Sequence, residues 1–224
     1  MSIWPHRRHC RRLPGSRLLS YLLIAGGVVL VFRGGRDLWE SRWGQSKAAQ
    51  ELESPVPVPP AGTAAVHKAL PLGDTVAKLT IPRLDAQLYV VEGVDQAELR
   101  RGPGHMPGTA LPGGNGNCVV AGHRDTHFRV LKNIQKGDDI VLETRTGLFL
   151  YRVKSFAIVT PQNTAAIQPS NSAELHLITC YPFYYVGSAP KRYIVEADLA
   201  AALDVSLPPT PKLTWPPLPA VAAR

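Results

Sequence analysis

Three polar residues stand where short apolar runs begin or end. His123 closes NCVVAGH at 117–123, Cys180 closes ELHLITC at 174–180, and Arg192 falls in the first turn of KRYIVEAD at 191–198. A cysteine becomes a useful nucleophile when a base or a cation stands beside it. Histidine is the usual proton partner, because its ordinary pKa lies near neutrality. Arginine stays charged and offers a planar fork of donors, suited to a carbonyl oxygen or to the oxyanion that grows from it. Together the three suit acyl transfer by nucleophilic catalysis. They are far apart in sequence, so only a fold can join them.

Each also has a plain structural reading. Cysteines that follow apolar runs are most often buried. His123 competes with six other histidines, and His176, inside the 174–180 run, is an alternative base. Arg192 also fits a solvated edge position. Strand parity puts Tyr193, Val195 and Ala197 on one face and Arg192, Ile194, Glu196 and Asp198 on the other, so Arg192 is expected to face a groove or solvent. Of the three cysteines, Cys118 and Cys180 leave two options open: a disulfide, or one buried and one reactive thiol. Metal chemistry is a weak rival. His105, His123 and His127 have no tight Cys/His cluster, and H-x-x-x-H at 123–127 lacks the glutamate of a zincin. GGNGN at 113–117 has neither the Lys-Ser/Thr nor the context of a phosphate loop. No cofactor and no metal is expected.

The elements that must position these residues are short strands. VAKLTI (76–81) and AQLYVVEG (86–93) read as strands joined by PRLD. DQAELRR (95–101) reads as a short helix capped by Asp95. Residues 102–116 are too rich in Gly and Pro for regular structure. NCVVAGH is a buried strand, THFRVLKNI (126–134) a short helix capped by Thr126, and DIVLET (139–144) with LFLYRVKSFAIVT (148–160) a hairpin. ELHLITC and KRYIVEAD are the last strands. Many short strands with few helices indicate a closed all-β domain, a barrel rather than a sandwich. Residues 199–224 read as an Ala/Pro-rich tail.

Most of the net charge of +8 sits in the N-terminal arm. Residues 1–73 carry ten Lys/Arg against four Asp/Glu, and residues 74–198 carry thirteen against twelve. That pattern excludes a nucleic-acid-binding face on the domain. Arginines in 1–17 precede LLSYLLIAGGVVLVF at 18–32, which has no charge. As a helix this run spans roughly 22 Å, short of a ~30 Å hydrocarbon core, with Arg17 and Arg33 placed to snorkel. We expect an uncleaved signal anchor at 18–33, a cytoplasmic segment at 1–17 and the remainder outside the cytoplasm. Within 34–73 we expect a juxtamembrane helix bearing Trp39 and Trp43, then a Pro-rich spacer holding the domain off the membrane.

TIPRLDAQLYVVEG, GPGHMPGTALPGGNGNCVVAGHRDTHFRVL and HLITCYPFYYVGSAPKRYIVEA, in that order behind an anchor, resemble the sortases, membrane-anchored cysteine transpeptidases. The likeness covers roughly residues 74–198. Its spine is Gly122-His123, L-x-T-C at 177–180 and the arginine of R-Y-I-V at 192–195. TCYPFYYVGSAPKRY is similar to class D and to the proteobacterial type. The resemblance implies a closed eight-stranded β-barrel with short helices, preceded by one N-terminal transmembrane helix. It implies Cys180 as nucleophile, His123 as acid/base, Arg192 as stabiliser of the substrate carbonyl, and Thr179 in shaping the substrate site. The implied partners are a protein with an LPxTG-type sorting signal and an amine acceptor, either a peptidoglycan stem or a protein lysine. The implied location is a bacterial cell membrane, the inner one in a proteobacterium, with the domain on the outer side. Sortases commonly have T-L-x-T-C, and here His176 stands at the first Thr. A free Cys180 implies that Cys118 is buried and dispensable. The rivals are a Cys-His peptidase that only hydrolyses and a tethered domain that only binds peptides. LPGG at 111–114 is no C-terminal sorting signal, so the chain is not itself read as a substrate.

Overall fold

The strand-forming runs between Thr75 and Asp204 close into a ring. The computed structural model describes residues 15–54, 70–185 and 187–204. In chain order the elements are α1 (Gly15–Glu53), β1 (Thr75–Ile81), β2 (Ala86–Glu92), α2 (Gln96–Arg101), β3 (Gly104–His105), β4 (Asn117–Gly122), β5 (Asp139–Glu143), β6 (Gly147–Val159), β7 (Glu174–Tyr181) and β8 (Lys191–Asp204). Short 3-10 turns cover Pro82–Leu84, His127–Asn133 and Ala165–Ile167. The barrel order is β1-β2-β3-β4-β7-β8-β6-β5, and β5 pairs back onto β1. Closure leaves no sheet edge to be covered. Only β2/β3 and β4/β7 run parallel among the pairs described.

The interior is filled by alternate residues of every long strand, including Leu79, Ile81, Val120, Ile140, Leu142, Leu175, Leu177 and Val195. Each such side chain contributes about 1.5–3 kcal/mol by leaving water. Tyr151 is the largest fully buried side chain, and its hydroxyl oxygen accepts the Gly113 N–H at 2.8 Å. That bond ties the Gly/Pro-rich 106–116 loop to the core.

The sequence expectations differ from the structure at four places. β3 lies inside the segment read as loop, and two residues are too few to show a period. β8 continues six residues past Asp198, so the Ala-rich start of the expected tail pairs with Gly147–Tyr151 of β6. Residues 200–203 are exposed and three of the four are alanine, so no apolar alternation marks them. Asp95 and Thr126 occupy N-cap positions, but neither side chain makes a capping hydrogen bond, and the second element is 3-10 rather than α.

The fourth difference is α1, which runs unbroken through the proposed junction at 33–37. Its second half docks on the barrel. Gln45 Nε2 donates to the Tyr89 and Arg101 carbonyls, both at 2.9 Å, and its Oε1 accepts the Tyr89 N–H at 2.7 Å. Ala48 is fully buried, and a Cβ on Gly44 would sit 2.7 Å from Arg101 Cα, so glycine permits the approach to α2. The first half of α1 is different, because every residue from Leu19 to Arg33 is exposed. Among the described residues no helix is long and apolar enough to cross a membrane. The spacer expected at 54–72 and the segment at 1–14 fall almost wholly outside the described residues.

Gly122 is the second glycine that the packing requires. A Cβ there would lie 2.6 Å from the Phe128 ring. Gly122→Ala is expected to cost about 1–3 kcal/mol through overpacking. Thermal unfolding of the variant checks this, and an unchanged midpoint would show that Phe128 yields freely.

Candidate active site

The strand register brings three chain-distant residues into one row. In the parallel β4/β7 pair Gly122 lies opposite Thr179, and His123 and Cys180 are the residues that directly follow that last pair. In the antiparallel β7/β8 pair Cys180 lies opposite Arg192. Neighbouring strands are roughly 4.8 Å apart. Leu177 and Val195 are register partners that fill the core. Cys180 and Arg192 are three positions away on their strands and therefore share the opposite, outer face. The row thus sits at the ends of three adjacent strands, with a half-buried thiol at its centre.

Several contacts hold the row. Thr179 Oγ1 donates to the Gly122 carbonyl at 2.7 Å, which joins the last register pair of the two parallel strands. Thr179 is only 2% exposed, so its side chain braces the row from beneath and does not line a groove. The Phe128 N–H donates to the His123 carbonyl at 3.0 Å and turns the chain back after the histidine. Arg192 Nη1 donates to the carbonyls of Ala189 at 3.3 Å and Lys191 at 3.0 Å.

The other candidates are committed elsewhere. Cys118 is 1% exposed and opposite Leu175, and burial pushes its thiol up to about 12. It is free, as is Cys180, so the disulfide alternative is not the one adopted. His176 lies four residues before Cys180 on the same strand, roughly 13 Å away. It is buried, and its Nδ1 bonds the Ala166 carbonyl at 2.7 Å. His105 is buried in β3, with Nδ1 2.7 Å from Glu92 Oε2 and Nε2 3.0 Å from the Ala110 carbonyl. His127 is also buried and bonds Ser41 Oγ of α1 at 2.9 Å. Among the described residues no three ligand-type side chains gather as a metal site. A cleft of about 200 Å³ opens beside His123, lined by Ser41, Arg100, Asp125 and Thr126.

The row and barrel are the observations that comparison with known proteins can weigh. Residues 79–200 match the sortase domain. The chain belongs to the sortase family. Over 190 residues this sortase is 36% identical to sortase D of Bacillus subtilis, which covers 80% of this chain and 96% of that one. A Clostridium perfringens sortase D5 transpeptidase shares its fold with a TM-score of 0.59 at 23% identity, covering 72% of this chain and 99% of the other. The catalytic domain of B. anthracis SrtD aligns with a TM-score of 0.52 at 34% identity, covering 65% and 99%. The sortase is therefore an enzyme, a cysteine transpeptidase related to class D, and its closed eight-stranded barrel is the one the resemblance implied.

Sequence reasoning missed Arg124. Its Nη2 donates to the Tyr185 and Gly187 carbonyls at 2.8 and 3.0 Å, and its guanidinium lies 5.7 Å from the Tyr185 ring centroid. Lys132 Nζ adds a bond to Tyr184 Oη at 2.9 Å. These contacts tie the β7–β8 loop, which joins Cys180 to Arg192, to the segment after His123. The only signal was adjacency to His123, and the partners are backbone carbonyls, which leave no pattern in sequence.

Two predictions concern the residues around the row. Burial pushes the His127 imidazole down to about 4, with His123 adding to the shift and Asp125 opposing it. The unfolded chain takes up a proton near 6.5, whereas the folded sortase does so only near 4. The stability supplied by neutral His127 is complete above pH 6.5 and falls as pH drops towards 4, by roughly 3 kcal/mol in all. Urea unfolding at pH 7.5 and 4.5 should show the native protein losing about 2 kcal/mol more than His127→Gln. Equal losses would contradict it. Cys118→Ala should keep peptide cleavage within about twofold while costing roughly 1–2 kcal/mol of stability. A large loss of cleavage with folding intact would place Cys118 in the chemistry.

Proposed function

We propose that this sortase cleaves an LPxTG-type sorting signal between Thr and Gly through a Cys180 thioester and passes the acyl group to an amine. The observation that carries the reading is the row His123–Cys180–Arg192, set by two strand registers. The Cys180 thiolate attacks the Thr carbonyl carbon and forms the C–S bond. Arg192, across from the thiol, donates to the oxygen as negative charge collects there. Protonated His123 gives its proton to the departing Gly amine as the C–N bond breaks. An acceptor amine then attacks the thioester, His123 takes its proton, and the thiolate leaves. This is the two-stage logic of covalent catalysis. Thr179 is a positioning residue here, since its hydroxyl holds the Gly122 carbonyl and thereby the His123 backbone.

The proposed setting is a bacterial membrane, the inner membrane in a proteobacterium, with the barrel outside the cytoplasm. What supports it is the first half of α1, which is uncharged from 18 to 32 and apolar around its whole circumference while exposed. A helix apolar on all sides belongs in a core or in lipid. The acceptor is an amine of a peptidoglycan stem or a protein lysine, and the donor is a protein carrying the sorting signal.

Incubation with a labelled LPxTG-type peptide should add the acyl mass to the native protein and nothing to Cys180→Ala, with circular dichroism unchanged. Covalent peptide on Cys180→Ala would overturn the assignment. Arg192→Ala should lower kcat by about 10²–10³ with KM less affected, the loss typical of an oxyanion donor. Ligated product on addition of an amine separates transfer from hydrolysis.

A further inference from the structure

α1 and α2 enclose a cleft of about 450 Å³ lined by Phe32, Arg33, Arg36 and Arg100. Among the described residues none that lines it is acidic. Arg36 pairs with Glu40 at 3.3 Å, an exposed i,i+4 contact of the kind that yields readily. Neither Arg33 nor Arg100 has an ion-pair partner among the described residues. Arg33 and Arg36 come from α1, and Arg100 comes from α2 on the barrel, so the guanidiniums converge only because the second half of α1 docks. Three guanidiniums facing one cleft repel one another, Glu40 offsets one of them, and a bound anion relieves all three at once. The planar donor forks of arginine match phosphate oxygens in pairs.

The position of the cleft says which phosphate. Phe32 is the last residue of the uncharged run and also one wall of the cleft. If the run lies in hydrocarbon, Arg33 is the first residue beyond it and the cleft opens at headgroup depth. We propose that this cleft binds the phosphate of an anionic phospholipid and so fastens the barrel to the membrane surface through Arg100. The proposal rests on the membrane reading of α1 given above. It differs from general attraction of a basic arm, because the cleft needs a residue of the folded domain.

The full chain in detergent, titrated with phosphatidylglycerol or phosphatidylcholine and read by native mass spectrometry, tests it. The native protein should retain one phosphatidylglycerol about tenfold more tightly than phosphatidylcholine. Arg100→Gln should lose roughly fivefold of that preference, and Arg33→Gln a similar factor, as expected per arginine at a lipid surface. Both positions are exposed, so circular dichroism should confirm that each variant folds. No phosphatidylglycerol preference in the native protein, or an unchanged preference in both variants, would overturn the proposal. Inorganic phosphate abolishing the preference at millimolar concentration would assign the cleft to a soluble phosphate and overturn the lipid source. Flotation on pure phosphatidylcholine vesicles tests the anchor alone. Failure to float with the phosphatidylglycerol preference intact would count against the anchor and support the cleft.

Discussion

The parallel pairing of β4 with β7 is the constraint on which the rest depends. Six register pairs run from Asn117 opposite Glu174 to Gly122 opposite Thr179, the pair directly before His123 and Cys180. Parallel strands cannot be joined by a hairpin, so the chain must cross over between them. The crossover carries β5 and β6, and these two strands close the barrel between β1 and β8. The connection that the site needs is thus the connection that removes the open edges. The bond from Thr179 to the Gly122 carbonyl locks the pairing at the end that adjoins His123 and Cys180.

Much of this was legible in sequence, and what was legible had a period. The β5–β6 hairpin and the strands β1, β2, β4 and β7 follow from alternation, β-branched content and the turns between them. Parity on 191–198 gave the face of Arg192 before any pairing was known. What could not be read lacked a pattern or depended on tertiary partners. β3 is two residues long. Leu199–Asp204 is half alanine and is held by Gly147–Tyr151 rather than by its own propensity. Thr179 looked like a substrate contact because of its place beside the cysteine, yet the strand turns it inwards. Arg124 and Gln45 act on backbone carbonyls, which any residue can supply.

The docking of α1 gives the barrel a fixed partner: the helix is continuous, and Ser41, Gln45 and Ala48 fix its second half to the barrel. From Arg33 to Ser41 is eight residues, or roughly 12 Å of helix. Ser41 bonds His127 and lines the cleft beside His123, so the helix sets a fixed distance between its apolar half and that cleft.

The two cysteines of the domain show how little separates structure from chemistry here. Cys118 and Cys180 lie on adjacent paired strands, and both follow from strand runs of similar character. Cys118 is opposite Leu175, a core residue, and its parity takes it inwards, where burial holds the thiol protonated. Cys180 is five residues beyond Leu175, an odd step, so its parity is opposite and the thiol faces out beside Arg192. A slip of one residue in the β4/β7 register would exchange inner and outer faces along the strand. The apolar residues Leu175 and Leu177 resist that slip, because it would bring them to water at about 1.5–3 kcal/mol each. The outward face of one thiol and the burial of the other therefore rest on the same burial of leucine side chains.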